Sequence, residues 1–185
     1  MLELMSSTPT ALTWPLIEEA RERIAGKVNV SPVLTSRTLD GLSGSAVAAK
    51  SLKPAIRVIG VEPAGADDAA RSLRAGRIVP VANPKTIADG LRATIGERPL
   101  AEIRRIVEDI ITVTDESIVR AMRQLWDVMK IVVEPSGAVP YAALLDTPQA
   151  LRGRRIGIIL SGGNLDLDRL PWSAAAADGV AGRAG

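Results

Sequence analysis

Short branched apolar runs alternate with amphipathic stretches along the chain. Leu16, Ile17, Ala20 and Ile24 recur at helical spacing and mark a helix from Pro15 to Gly26, with Thr13 to cap it and Gly26 to end it. Ser31-Pro32 forces extended chain, and Val33-Leu34-Thr35-Ser36 reads as a short strand. A helix from Ser45 to Leu52 turns Ala46, Val47, Ala49 and Leu52 to one face and is stopped by Pro54. Ile56 to Val61 is a strand, and a helix follows Asp67-Asp68 to about Leu73. Pro99 to Asp109 is a helix with Ile103, Ile106 and Val107 inward, and Ile110 to Val113 is a strand. Thr114 caps a helix to Met129 that buries Ile118, Met122, Leu125 and Trp126, with Asp115 and Glu116 in its first turn. Ile131-Val132-Val133 leads into Glu134-Pro135-Ser136-Gly137-Ala138 and a helix to Leu145. Strands alternating with helices predict an α/β fold, a mainly parallel central sheet with helices on both faces.

The run Ile156-Gly157-Ile158-Ile159-Leu160 is short, apolar and closed by Ser161-Gly162-Gly163-Asn164. That pattern suits an interior strand of a parallel sheet, and ligands of open α/β sheets bind outside the carboxyl ends of such strands. Gly162 and Gly163 let backbone approach a ligand, and Ser161 offers a donor and acceptors beside them. The same residues also describe a plain strand and turn.

Composition narrows the chemistry. The chain has 185 residues, enough for one domain with a real core. With three Trp, one Tyr and no Phe, that core is built from Ile, Leu, Val and Ala. It has no Cys and no His, which removes disulfides, thiol nucleophiles, histidine bases and the usual zinc sites. Charges are interspersed at a net +2 without alternating aromatics, which argues against a nucleic-acid surface. No apolar segment is long enough to span a membrane, and no basic region precedes an apolar one at the start, so the cytoplasm is the expected location. Residues 1–12 read as a loose arm, 13–172 as one α/β domain and 173–185 as a flexible Ala/Gly-rich tail.

Two local groups could hold ligands. Gly41-Leu42-Ser43-Gly44 precedes a helix, where free N–H groups favour an anion, although such a turn is often only a turn. Glu62, Asp67 and Asp68 could collect a hard cation, or Asp67 and Asp68 could cap the helix that follows them.

Six stretches stand in one order: Ser31 to Ser36, Gly41 to Lys50, Glu62-Pro63 with Ala66-Asp67-Asp68, Thr86-Ile87-Ala88-Asp89-Gly90, Glu134 to Ala138, and Leu160 to Asn164. From about residue 13 to Trp172 the chain resembles the pyridoxal-phosphate-dependent serine/threonine dehydratases of fold type II, a group that includes serine racemases. The resemblance implies the large domain of the tryptophan-synthase-β-like fold and a homo-oligomer. It also implies a small hydroxy amino acid as substrate, undergoing β-elimination of ammonia or racemisation. Ser161 would bond the cofactor's pyridine nitrogen, with Gly162 and Gly163 beside it. Gly41 and Gly44 would belong to the phosphate loop, and Gly90 and Glu134 would lie near the ring. Glu62, the Ala66 carbonyl and Asp68 would form a Mg2+ or Ca2+ site.

The departure from the family matters equally. Its members hold the cofactor as a Schiff base on a lysine in a Ser-x-Lys-x-Arg-Gly-like motif, with a small domain after it. Here Leu39-Asp40 runs directly into Gly41, and none of Lys27, Lys50, Lys53, Lys85 and Lys130 has that motif around it. The chain resembles a member with an internal block missing near residues 40–41. It has no assigned catalytic residue, and its hold on pyridoxal phosphate is expected to be weak or absent. Two classes follow: a catalytically incomplete ammonia-lyase, or a non-enzymatic pseudoenzyme or dimerising partner subunit.

Overall fold

A computed structural model describes residues 44–147, 149 and 153–173, with Thr13, Pro15, Glu18, Glu19, Glu22 and Arg23. The expected strand at 33–36, Gly41 and the arm at 1–12 lie outside the described residues, as does the tail beyond Ser173. The described residues between Pro15 and Arg23 are helical, as their spacing predicts.

The remaining elements are α1 (Gly44–Leu52), β1 (Ile59–Pro63), α2 (Asp68–Ala75), α3 (Glu97–Ile106), β2 (Asp109–Val113), α4 (Asp115–Gln124) and α5 (Pro135–Asp146). A 3-10 turn covers Asp89–Leu91, and a π turn, Leu125–Met129, extends α4. β1 and β2 pair in parallel, from Ile59 with Asp109 to Pro63 with Val113.

The pleat sends alternate side chains to opposite faces and so makes two cores. Ile110 joins Val58, Ala69, Ala70, Ile103 and Ile106, the side covered by α2 and α3. Val61 and Val113 join Ile118, Met122, Leu125, Val133, Val139 and Ala142, the side covered by α4 and α5. Helices thus lie on both faces of the parallel pair.

Element ends differ from their sequence expectations for local reasons. Pro99 stands third in α3 rather than opening it, a first-turn position where its missing N–H costs nothing. That helix ends at Ile106, because Val107 is already extended at φ −94°, ψ 128°. Thr114 caps α4 as expected, accepting the Ser117 N–H at 3.3 Å. Leu52, expected on a buried face, is exposed at the last position of α1, and Trp126 is half-buried, edge-on to Trp172 at 6.0 Å.

The interior strand expected at 156–160 is the main correction. Among the described residues only β1 and β2 form a ladder, and within the run only Ile158 has strand geometry and is buried. Arg154, Arg155 and Gly157 are exposed, and within the run only Ile158 is fully buried, with Leu160 partly buried against the core. Residues 131–134 likewise join no ladder among the described residues, with Glu134 extended.

Candidate functional site

The turn Ser161–Asn164 is pinned from both sides, because Leu160 and Leu165 pack against the core that holds Val133 and Val139. This lays the turn over the start of α5. Pro135, which lacks an N–H, stands at the opening of that helix, where the helix needs none. Glu134 is the extended residue before it, and its side chain makes no capping bond to the helix.

The Glu134 side chain crosses to the turn instead. Its Oε2 accepts the Asn164 N–H at 3.0 Å, and its own N–H donates to the Gly162 carbonyl at 3.3 Å. Gly162 has φ +76°, a left-handed conformation that favours glycine, and a Cβ there would land on the Glu134 carboxylate. A Cβ on Gly137 would land on the Ser161 carbonyl, and one on Gly163 would come within 3.3 Å of the Val132 carbonyl.

A third segment joins them. The Gly90 N–H donates to Ser136 Oγ at 3.1 Å and to Asp89 Oδ1 at 2.9 Å. The loop before it is held from the start of α4: Asp115 accepts the Thr86 hydroxyl at 2.6 Å and the Ile87 N–H at 3.0 Å. Arg92 adds two bonds to the Thr86 carbonyl, at 2.6 and 3.0 Å.

Of the residues singled out from sequence, Gly90, Glu134, Ser161, Gly162 and Gly163 therefore belong to one connected cluster. Gly44 opens α1, whose Ala46 and Val47 pack in the other core. Sequence reasoning missed Ser136, Gly137 and Asp115 as parts of the cluster. The first two stand inside the Glu134–Ala138 stretch it had marked, but Asp115 looked like a helix-start acid and gave no further signal.

The capping expected of Asp67 and Asp68 falls to Glu62 instead. Glu62, the last residue but one of β1, has only 7% of its surface exposed, and it receives the Ala69 N–H at 3.1 Å and the Ala70 N–H at 2.7 Å. Burial pushes its carboxyl up to about 7 from 4.5; the two backbone bonds pull the other way, and Asp68 and Asp67 add to the rise. Glu62 thus serves the free N–H groups of α2, the role expected of Asp67 and Asp68. Asp67 makes no side-chain cap bond and lies 3.8 Å from Arg71, while buried Asp68 accepts the Ile95 N–H at 2.6 Å.

With Ala70 bonded to Glu62, the buried Ala66 carbonyl four residues back receives no helical N–H. Glu62, Asp68 and the Ala66 carbonyl offer only oxygen, the ligand type that Mg2+ or Ca2+ takes, and both Glu62 oxygens already accept backbone N–H groups. Among the described residues, no group of three or more His, Cys, Asp or Glu side chains gathers as a metal site. An open cleft of about 290 Å3 between Gly76, Arg77, Leu100 and Arg104 shares no residue with the acidic group or the turn.

No lysine amine among the described residues is paired with the turn. Lys50 Nζ lies 3.7 Å from Glu108, Lys130 Nζ donates to the Asp127 carbonyl at 2.8 Å, and Lys53 and Lys85 are exposed without a bond to the turn. Pyridoxal phosphate can be tested against this arrangement. Ser161, exposed beside Gly162 and Gly163, offers the hydroxyl that a pyridine nitrogen can accept from, and the expected phosphate loop at Gly41 lies outside the described residues. A covalent anchor is missing from the described surroundings.

Fold and site together define an α/β scaffold presenting a glycine-walled backbone surface beside a serine hydroxyl. Residues 10–162 match the family described as pyridoxal-phosphate dependent enzyme, and the chain belongs to that family. It is 45% identical over 132 residues to the beta-hydroxyaspartate dehydratase of Paracoccus denitrificans, covering 71% of this chain and 42% of that protein. It is 46% identical over 138 residues to the serine racemase of Arabidopsis thaliana, covering 72% of this chain and 41% of that protein. Among solved structures it is similar to maize serine racemase, with a TM-score of 0.64 and 45% identity over 68% of this chain and 40% of that one. The serine racemase of Dictyostelium discoideum gives a TM-score of 0.63 and 44% identity over 68% of this chain and 41% of that one. The chain thus spans about two fifths of the length of these relatives. No helix among the described residues is long and apolar enough to cross a membrane.

Proposed function

We propose that this chain is the cofactor-cradling large-domain part of a pyridoxal-phosphate dehydratase or racemase of small hydroxy amino acids. As written, it seats the cofactor without a covalent hold and without turnover. The observation that carries the reading is the meeting of the Ser161–Asn164 turn, Glu134 and Gly90, with Gly90, Ser161, Gly162 and Gly163 exposed. When bound, pyridoxal phosphate supplies an aldehyde and an electron-withdrawing ring that stabilises charge at an amino acid's α-carbon. Ser161 would hold the ring nitrogen, Gly41 and Gly44 would face the phosphate, and Gly90, Gly162 and Gly163 would form the wall beside the ring. No residue in this set can move a proton at the α-carbon, which is why turnover is not expected.

The test is a pyridoxal phosphate titration read by absorbance, followed by borohydride trapping, peptide mapping and an assay for ketoacid from serine and threonine. We expect saturable binding that weakens about fivefold in Ser161→Ala, the worth of one hydrogen bond. No single trapped lysine and no ketoacid should appear. One stoichiometric lysine that disappears with Ser161→Ala, together with ketoacid release, would establish an active enzyme instead. The partner-subunit reading draws on Val128 and Val132, apolar side chains 71% and 42% exposed. Light scattering on the same samples should then give a mass above one chain.

We further propose that Glu62, Asp68 and the Ala66 carbonyl take Mg2+ or Ca2+. Adding either ion should raise Tm saturably relative to chelator, by about 2.7 kcal/mol of stability at a hundredfold excess over Kd. Asp68→Asn should abolish most of the rise, and an unchanged Tm in the parent would remove the site.

A further inference from the structure

We propose that Glu134 is a positioning residue, which sets the shape of the Ser161–Asn164 turn and does not itself hold the ligand. The part concerning the cofactor rests on the function proposed above; the part concerning the turn does not.

Glu134 stands where a carboxylate ordinarily caps a helix, yet it makes no bond to α5 through its side chain. Both its carboxylate and its backbone N–H go to the turn thirty residues away, the Oε2 to Asn164 and the N–H to Gly162. Its carboxylate also occupies the space that a side chain at Gly162 would need. One residue therefore grips the turn on two successive sides and enforces glycine at its centre. On the other flank, the Ser161 carbonyl lies against Gly137. The Ser161 backbone is fixed between these contacts, so its exposed hydroxyl is presented in a defined direction. A carboxylate with one oxygen committed to Asn164 is oriented by the protein, which makes turn geometry its main contribution.

The experiment compares hydrogen exchange at the Asn164 amide in the parent, Glu134→Gln and Glu134→Ala, with the amides of β1 and β2 as folding controls. Glu134→Ala should lower Asn164 protection about tenfold and leave the strands unchanged, since one local hydrogen bond is lost. Glu134→Gln keeps the size and one oxygen acceptor and should restore protection to within about threefold of the parent. Pyridoxal phosphate affinity should follow the same order, weak in Ala and rescued in Gln. Gly162→Ala should do less harm in the Glu134→Ala background than in the parent, because the clash is gone and only the φ strain remains.

Parental Asn164 exchange in Glu134→Ala would overturn the proposal. So would a Gln variant that keeps the turn protected but loses cofactor affinity as fully as Ala, because the charge would then act on the ligand directly. A parent that binds no pyridoxal phosphate would defeat the proposed function, while the exchange arm would still decide the role of Glu134.

Discussion

Glu62→Ala is expected to lower stability by about 2 kcal/mol and to loosen the start of α2. The change leaves the buried Ala69 and Ala70 N–H groups without their acceptor. An unsatisfied buried donor costs about 1–3 kcal/mol. Part of this is returned, because Ala70 can fall back on the Ala66 carbonyl and the cost of burying a carboxylate disappears. The same residue makes stability depend on pH. Its carboxyl titrates at about 7 in the folded chain against 4.5 when unperturbed, so the native state holds the proton more tightly. The part of its contribution linked to this proton is complete below 4.5, falls as the unfolded chain ionises first, and is lost by about pH 7. The gap corresponds to at most about 3 kcal/mol. Urea unfolding in chelator, compared with the non-titrating Glu62→Gln variant, isolates the effect from other carboxylates. The parent's stability relative to Glu62→Gln should fall steadily across this range, and a constant difference would sink the assignment.

Glu62 also shows what sequence could and could not disclose. Its place at a strand end and its nearness to Asp67 and Asp68 were legible, and both a cation site and caps could be read from them. The acceptor that actually serves α2 comes from the neighbouring strand, and no rule of helix starts looks seven residues back into another element. Where the deciding contacts are local, the sequence was sufficient. Thr114 caps α4, and the branched run Ile110–Val113 forms β2 with one added residue, Asp109. The run at 156–160 misled because branched residues promise a strand whether or not a partner lies on each side; Gly157 and the two arginines before it stay in solvent. The site divides the same way. Ser161-Gly162-Gly163-Asn164 and Glu134-Pro135-Ser136-Gly137 each stand out alone, and resemblance suggested that both lie near one ring. Their direct contact spans thirty residues of sequence and was invisible until the fold placed Leu160 and Leu165 on the core of α5.

Gly137→Ala tests that contact most severely, because two physical effects oppose each other and only one depends on the turn. Gly137 is a buried residue of α5 and is not among the glycines with positive φ, so alanine fits its backbone. Judged as a helix position alone, the substitution should stabilise by about 0.5–1 kcal/mol. The new Cβ, however, would land on the Ser161 carbonyl and lie 3.0 Å from Val133 Cγ1. Both neighbours are held, one by the turn's bonds to Glu134 and the other in the core, so backbone must shift to relieve the overlap. Overpacking of this kind costs about 1–3 kcal/mol, which exceeds the propensity gain. We expect a net loss of about 1 kcal/mol in urea unfolding, with the strain concentrated in the turn. Asn164 exchange should quicken, and pyridoxal phosphate affinity should drop at least about tenfold, because displacement of a seat by about 1 Å costs far more in binding geometry than in folding. Ala142, buried on the same helix, supplies the reference: Ala142→Gly should lose stability through propensity and cavity alone while leaving Asn164 exchange at the parental rate. If Gly137→Ala proves more stable than the parent and leaves the turn's exchange unchanged, then α5 and the Ser161 turn are not in contact, and the seat between them does not exist.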